Sequence, residues 1–373
     1  MSKSELLNFT STQILDFMTD GLYVTDRERN IVYWNKAAER LVGWTTADVV
    51  GHSCYSNLLC HEDRYGQRLC DKEHCPLHRA MLTNSRSTLP IIVFARCKNG
   101  GRIPLQVSVA PITDEKGAVV GGVETFRDLT VLMKDLKRAK NIQKQSLRLP
   151  DEHDPRITFT THYVPFDVVG GDYYTIEKLD EHRYVFILAD VMGHGIPAAL
   201  YTMHLHGLWT ECRHLFAAPA AFMAETNRRL CMLAEEGGTF AAAAFGLIDL
   251  ERQEVLFSNA AAPSLVVRRQ NGELESFEFP GFPLGLMENM VYEEMQIPLR
   301  RGDSLLCFTD GAIEVRDQEL CELGLSGFMN LLKNVGFPRC GKSMKKIEEK
   351  LLQFSNRIRL EDDLTMLAIH LNE

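Results

Sequence analysis

The sequence predicts an α+β protein of two folded units joined by a helix, and three observations predict it. Its 373 residues exceed the roughly 100 to 200 that one core commonly organises, and a composition of 45% hydrophobic and 24% charged residues is that of a folded chain. Short strand-like runs separated by Gly-rich turns occupy the first third, and a second series of strands and helices begins after Ile157. Between them, Leu129 to Leu149 carries apolar residues at 3,4 spacing and is closed by Pro150-Asp151-Glu152-His153-Asp154-Pro155, which breaks a helix and sets a boundary.

In chain order, an apolar helix start near Ile14 leads to Gly21 to Asp26, a polar turn, and Ile31 to Asn35, which read as two short strands. Lys36 to Val42 is a short helical stretch. Three β-rich runs follow at Thr88 to Cys97, Ile103 to Ile112 and Ala118 to Arg127, with hairpin turns at Asn99-Gly100-Gly101 and Asp114-Glu115-Lys116-Gly117. This order, with Asp26, Trp34-Asn35, Val42-Gly43-Trp44 and the closing Thr125-Phe126-Arg127-Asp128-Leu129-Thr130, resembles a PAS sensor domain over residues 10–128. The resemblance implies an antiparallel sheet with flanking helices that passes into a signalling helix.

Residues 129–150 are expected to form that linker. Leu129, Leu132, Leu136 and Ala139 make a stripe, Lys134, Lys137, Arg138, Lys140 and Lys144 lie off it, and the stripe decays at Gln143 and Ser146. It predicts either a homodimer seam or a helix packed on its own domain.

Within the PAS-like region, Cys54, Cys60, Cys70 and Cys75 fall at C-x5-C-x9-C-x4-C spacing, with His52, His61, His74 and His78 interspersed. Four thiols in 22 residues can converge on one Zn²⁺ or one Fe–S cluster; free structural or redox-active thiols are the other reading. Cys97 lies in a strand and is expected in the core.

After Ile157 the pattern is paired strands, two helices, more strands, two more helices and a last strand, which predicts a two-layered sheet core flanked by helices. Acidic residues sit where apolar runs end in turns: Gly170-Gly171-Asp172, Asp190-Val191-Met192-Gly193-His194-Gly195, Thr309-Asp310-Gly311 and Glu361-Asp362-Asp363. An Asp before Gly often only makes a turn. Several semi-buried carboxylates brought together, however, cannot all ionise without a cation, and oxygen-only ligand sets suit Mg²⁺ or Mn²⁺.

These motifs, with Pro197-Ala198-Ala199-Leu200, Gly281-Phe282-Pro283-Leu284-Gly285 and Gly302-Asp303, resemble the PPM-type serine/threonine phosphatases, in their bacterial stage II sporulation protein E branch, over residues 157–371. The resemblance implies an α-β-β-α sandwich in which Asp172, Asp190, Asp310 and Asp362 hold two Mg²⁺ or Mn²⁺ ions. The Val191 carbonyl would be a backbone ligand and Asp363 a reserve candidate. It also implies phosphoserine or phosphothreonine hydrolysis by a metal-activated water, with a phosphorylated STAS-type anti-sigma-factor antagonist as substrate. A non-catalytic phosphoprotein-binding regulator with a degenerate phosphatase fold, or a phosphatase for an unrelated phosphoprotein, are the alternatives.

His194 is either a general acid or a residue of the turn. Departures from the branch are Ala261-Ala262, where Gly-His is common, and Thr175, where an Asp often follows Gly-Gly-Asp-Tyr-Tyr. Cys212, Cys231, Cys307, Cys321 and Cys340 lie in no catalytic motif, and Cys307 reads as a small hydrophobe in an apolar strand.

A net charge of −9 argues against a general nucleic-acid binder. The longest stretch free of Asp, Glu, Lys and Arg, Val191 to Thr210, contains three His and Pro197, so no membrane span is expected. No secretory signal is read at Met1 to Glu5, and ten sparse Cys suit a reducing compartment, so a cytoplasmic protein is expected.

Overall fold

The computed structural model describes residues 9–56, 58–64, 66–70, 74–87, 91–150, 153–232 and 238–372. Residues 1–5, the start of the Thr88 to Cys97 run and Asp151-Glu152 of the breaker lie outside them. The chain divides into two compact units between Asp135 and Leu136.

The first unit comprises α1 (Ser11–Asp16), β1 (Gly21–Asp26), β2 (Ile31–Trp34), α2 (Lys36–Val42), α3 (Thr46–Val49), α4 (Pro76–Thr83), β3 (Ile91–Arg96), β4 (Arg102–Thr113) and β5 (Val119–Asp128). Its strands form one antiparallel sheet in the order β2-β1-β5-β4-β3. Asn35 explains how β2 turns into α2: its Oδ1 accepts the Ala38 amide as an N-cap and also the Leu22 amide, tying the helix start to β1. The helix ends at Gly43, whose φ of 78° supplies the left-handed C-cap. Tyr23, Trp34, Val93, Val107 and Phe126 form the core together with Leu77 of α4.

In the second unit, β6 (Ile157–Val164), β7 (Asp172–Lys178) and β8 (Arg183–Val191) precede α6 (Ile196–Glu211) and α7 (Pro219–Cys231). Then come β9 (Ala241–Asp249), β10 (Glu254–Ala260), β11 (Leu265–Arg268), β12 (Leu274–Phe277), β13 (Met295–Pro298) and β14 (Ser304–Phe308). The unit closes with α8 (Gly324–Val335), α9 (Gly341–Ser355) and β15 (Leu364–Leu371). Two five-stranded antiparallel sheets result, β13-β10-β9-β8-β7 and β12-β11-β14-β15-β6.

Strand β8 shows why the layers stack. Its side chains alternate faces: Tyr184, Phe186 and Leu188 pack toward Leu305, Cys307, Leu367 and Ile369 of the second sheet, while Val185, Ile187 and Ala189 pack on Leu205, Leu208 and Trp209 of α6. The outer face of the second sheet is covered by Phe328 of α8 and Met344, Ile347 and Leu351 of α9. The order is helix, sheet, sheet, helix, as the motifs implied, and Cys307 is a buried hydrophobe of the inter-sheet core. Strands buried on both faces read as continuous apolar runs, which is why Tyr184 to Ala189 shows no alternation.

The linker helix, α5 (Thr130–Ser146), departs from its stripe. Leu129 is buried, but Leu132 is 47% exposed and Ala139 is also exposed. Gln143 and Ser146, where the apolar pattern fades, are the buried positions of α5. Their burial is specific: Gln143 Nε2 donates to the Gly170 carbonyl at 2.7 Å and to Thr202 Oγ1 at 3.0 Å, and the Gly170 amide donates back to Gln143 Oε1 at 3.3 Å. A polar side chain is favoured there because it satisfies backbone groups that burial has cut off from water.

Candidate active site

Four segments distant in sequence bring Asp172, Asp190, Asp310 and Asp362 to one end of the sandwich. Asp172 opens β7 and pairs in register with Asp190 near the end of β8. Asp310 begins a short 3-10 turn just after β14, and Asp362 lies just before β15. β14 and β15 are hydrogen-bonded neighbours, so the second sheet delivers its two acids side by side.

Asp172 is fully buried. Its Oδ2 accepts from Thr309 Oγ1 at 3.1 Å and from Thr365 Oγ1, whereas its Oδ1 has no hydrogen-bond partner. Burial, reinforced by the charge of Asp363, holds its carboxyl well above the ordinary carboxylate range. Asp190 is raised likewise, by burial and then by Asp172 and Asp310, with Asp310 also sharing a hydrogen bond with it. Asp310 Oδ1 is a second buried oxygen without a partner. Asp362 sits nearer the rim and is raised by burial more modestly, its Oδ1 accepting the Asp363 amide at 2.8 Å.

Asp363 has other work. Its Oδ1 accepts the Phe166 amide and its Oδ2 the Gly171 amide, both at 2.5 Å, so its two oxygens pin the loop between β6 and β7. Two glycines are required by close approach. A Cβ on Gly171 would stand 2.8 Å from the Val191 carbonyl oxygen and 3.0 Å from that of Gly193, and one on Gly311 would stand 2.0 Å from the Asp363 carbonyl oxygen. The Val191 carbonyl therefore lies close against Gly171. At the rim, His194 Nδ1 pairs with Asp167 Oδ2 at 3.2 Å, and its ring stands edge-on to Phe166.

As the side chains stand, no group of three or more His, Cys, Asp or Glu among the described residues is placed to hold a metal ion. The chemistry of the acidic set nonetheless suits a hard divalent cation: all donors are oxygens, two buried oxygens lack partners, and burial disfavours the charged carboxylates of Asp172 and Asp190 unless a positive charge compensates them.

The profile of the family described as Stage II sporulation protein E (SpoIIE) matches residues 180–372, just over half of the chain. The chain belongs to the SpoIIE family. Asp190, Asp310 and Asp362 fall inside the matched range, and Asp172 lies eight residues before it. A PAS fold profile matches residues 15–132. Phosphoserine phosphatase RsbP of Bacillus subtilis is 32% identical over 184 residues, which cover 48% of this chain and 45% of RsbP. Phosphoserine phosphatase RsbU of the same organism is 22% identical, over 66% of this chain and 73% of RsbU. The chain thus spans less than half the length of RsbP. Among solved structures, the SiaA PP2C domain of Pseudomonas aeruginosa aligns with a TM-score of 0.56 at 22% identity, covering 65% of this chain and 99% of that one, which shows a shared fold.

The SpoIIE-family departures have distinct consequences. Thr175 is three residues beyond Asp172 on β7, so strand alternation turns it to the opposite face, toward Tyr173 and the helices, and its replacement of Asp removes nothing from the acidic set. Ala261 takes a φ of 60°, left-handed backbone in which an L side chain costs about 1 to 2 kcal/mol. Gly at this position avoids that strain at a chain-entropy cost of about 0.5 to 1 kcal/mol. Ala261→Gly is therefore expected to raise the unfolding transition of the second unit by up to ~1 kcal/mol, measured by urea denaturation of the full chain in chelator. An unchanged or lowered midpoint would contradict the strain argument.

The structure also supplies roles that the motifs did not. Thr309 and Thr365 stand beside predicted acids but gave no sign of converging on Asp172. Gln143 and Asp167 had no signal, since a single polar residue in a helix or loop has many bland uses. Cys54, Cys60, Cys70 and Cys75 are each buried, but the expected zinc or Fe–S site gains no support from the comparisons, and no ligand group stands ready-made there among the described residues.

Proposed function

We propose that this chain is a metal-dependent protein phosphatase for phosphoserine or phosphothreonine, controlled by its PAS unit. The convergence of Asp172, Asp190, Asp310 and Asp362, with buried oxygens left unpaired, is the observation that carries this reading. Those four side chains, with the Val191 carbonyl, would hold two Mg²⁺ or Mn²⁺ ions. Asp363 is left out of the set because its oxygens are committed to backbone amides. When bound, such ions supply an activated water and neutralise the phosphoryl oxygens.

The chain's own residues prepare that site. Thr309 and Thr365 fix the orientation of Asp172 by occupying one oxygen and leaving the other directed inward. Asp363 and Gln143 hold the Phe166 to Gly171 loop from two sides, one through amides and the other through both backbone groups of Gly170. His194, oriented by Asp167 and largely exposed at the rim, is placed to exchange a proton with solvent beside the site.

RsbP and RsbU are each named a phosphoserine phosphatase, and by analogy the substrate proposed here is a phosphorylated STAS-type anti-sigma-factor antagonist in the cytoplasm. No helix among the described residues is long and apolar enough to cross a membrane. The deciding assay is phosphate release from such a phosphoprotein with Mn²⁺ and with chelator. Binding without turnover under every metal condition would favour the non-catalytic regulator.

Self-association through α5 is part of the proposal, because Val131, Leu132 and Ile142 leave apolar surface exposed along it. Leu136→Glu is expected to shift the full chain from dimer to monomer in sedimentation by at least ~10-fold in dissociation constant, about 1.4 kcal/mol. A monomeric wild type would refute the seam.

A further inference from the structure

The first unit buries groups that a small apolar core normally excludes. Cys54, Cys60, Cys70 and Cys75 are at most 7% exposed, and His61 and Glu124 are buried with them. Tyr23 Oη donates to Glu124 Oε2 at 3.0 Å, which satisfies half of that carboxyl. The other half is not satisfied: Glu124 Oε1 and His61 Nε2 face each other at 3.6 Å, and neither has a hydrogen-bond partner. A buried imidazole nitrogen and carboxyl oxygen left so are costly, and a pair of them aimed at one place calls for a ligand.

The thiols share this core. Cys54 and Cys75 belong with Tyr23, Leu58 and Leu77 to one buried cluster, the His61 amide meets Cys70 Sγ, and Cys60 immediately precedes His61 in the chain. Each is delivered by a different local device. The Cys54 amide is held by the carbonyl of Arg29, in the turn between β1 and β2. Cys60 takes a left-handed φ of 42°. The His61 amide donates to Cys70 Sγ at 3.1 Å, a contact that stabilises an anionic sulfur, and Cys75 stands at the N-cap of α4. Irregular chain that buries four thiols in the unit that also buries an unpaired imidazole is poorly explained by hydrophobic burial alone, since Ala or Val would fill the same space without polar cost.

We propose that Cys54, Cys70 and Cys75, with His61 Nε2, hold a thiolate–imidazole metal centre in the core of the PAS unit, with Cys60 and Glu124 beside it. The ligand chemistry is that of zinc or of an iron–sulfur cluster, since soft thiolates and imidazole select these over the Mg²⁺ or Mn²⁺ of the acidic site. When bound, the metal would supply the positive charge that lets buried sulfurs ionise. The site is separate from the acidic cluster and does not depend on the phosphatase reading.

The test uses the full chain purified without oxygen. Zinc, iron and acid-labile sulfide are measured first; near-stoichiometric zinc alone, or iron with sulfide, distinguishes the two centres. The metal-stripped, reduced chain is then titrated with Co²⁺, and a near-ultraviolet thiolate-to-cobalt absorption band is expected at about one Co²⁺ per chain. That band should fall by more than half in Cys54→Ser and Cys75→Ser and persist in Asp310→Ala. Should a serine variant fail to fold, the wild type decides: its cobalt band should be abolished by Zn²⁺ and kept in full by Cys321→Ser and Cys340→Ser, whose thiols are exposed. Wild-type protein with neither zinc nor iron and no thiolate band with Co²⁺ overturns the proposal, as does a band that survives intact in folded Cys54→Ser and Cys75→Ser or that Zn²⁺ does not displace.

Discussion

Asp310→Ala is expected to lower Mn²⁺-dependent phosphate release by at least ~10³-fold, about 4 kcal/mol of transition-state stabilisation, while the chain stays folded. Asp310 contributes a buried oxygen without a partner, shares a hydrogen bond with Asp190, and raises the carboxyls of Asp172, Asp190 and Asp362 by its charge. Removing it takes one donor from the metal set and one repelling charge from the cluster, so activity and stability should move in opposite directions. In chelator the melting temperature of the variant should equal or exceed that of the wild type. Retention of most activity with unchanged circular dichroism would show that the metal assignment is wrong, and a collapsed fold would show that Asp310 is structural.

Gln143→Ala should have the second largest effect, although Gln143 touches none of the four acids. Its amide makes three hydrogen bonds inside the second unit, two of them to the backbone of Gly170, whose neighbour Gly171 precedes Asp172. Alanine leaves a buried amide, a carbonyl and the Thr202 hydroxyl short of partners, at about 1 to 3 kcal/mol for an unsatisfied buried group. The loop that sets Asp172 then loosens from one side while Asp363 still grips it from the other. Expected results are a melting transition lowered by several degrees and kcat reduced roughly 10-fold, with little change in KM because no substrate contact is lost. Unchanged kcat with lowered stability would confine Gln143 to a packing role.

Much of the architecture was legible because it is local. Asn35 before an amphipathic stretch, Gly43 after it, and turns such as Asn99-Gly100-Gly101 mark element ends through short-range backbone chemistry, and α2 and the three-strand meander lie where these signals put them. The acids were legible for a related reason: each lies where an apolar strand begins or ends, and four such strand ends in one chain suggest one rim. The α5 stripe left its partner open because apolar periodicity reports only what avoids water. The buried face of α5 near the second unit is instead polar, and Gln143 is buried for its hydrogen bonds.

By itself the sequence determined the succession of strands and helices, the four strand-end carboxylates and the grouping of four cysteines, all consequences of side-chain type and spacing along one segment. Only the tertiary structure decided which atoms meet. Asp172 is gripped by Thr309 and Thr365 from 137 and 193 residues away, and Asp363 is spent on the amides of Phe166 and Gly171, 197 and 192 residues before it. Glu124 of β5 likewise meets Tyr23 of β1 across 101 residues. Such pairings depend on strand order and register between distant segments, and a polar residue carries no mark of its eventual partner until the layers pack and exclude the water that had satisfied it.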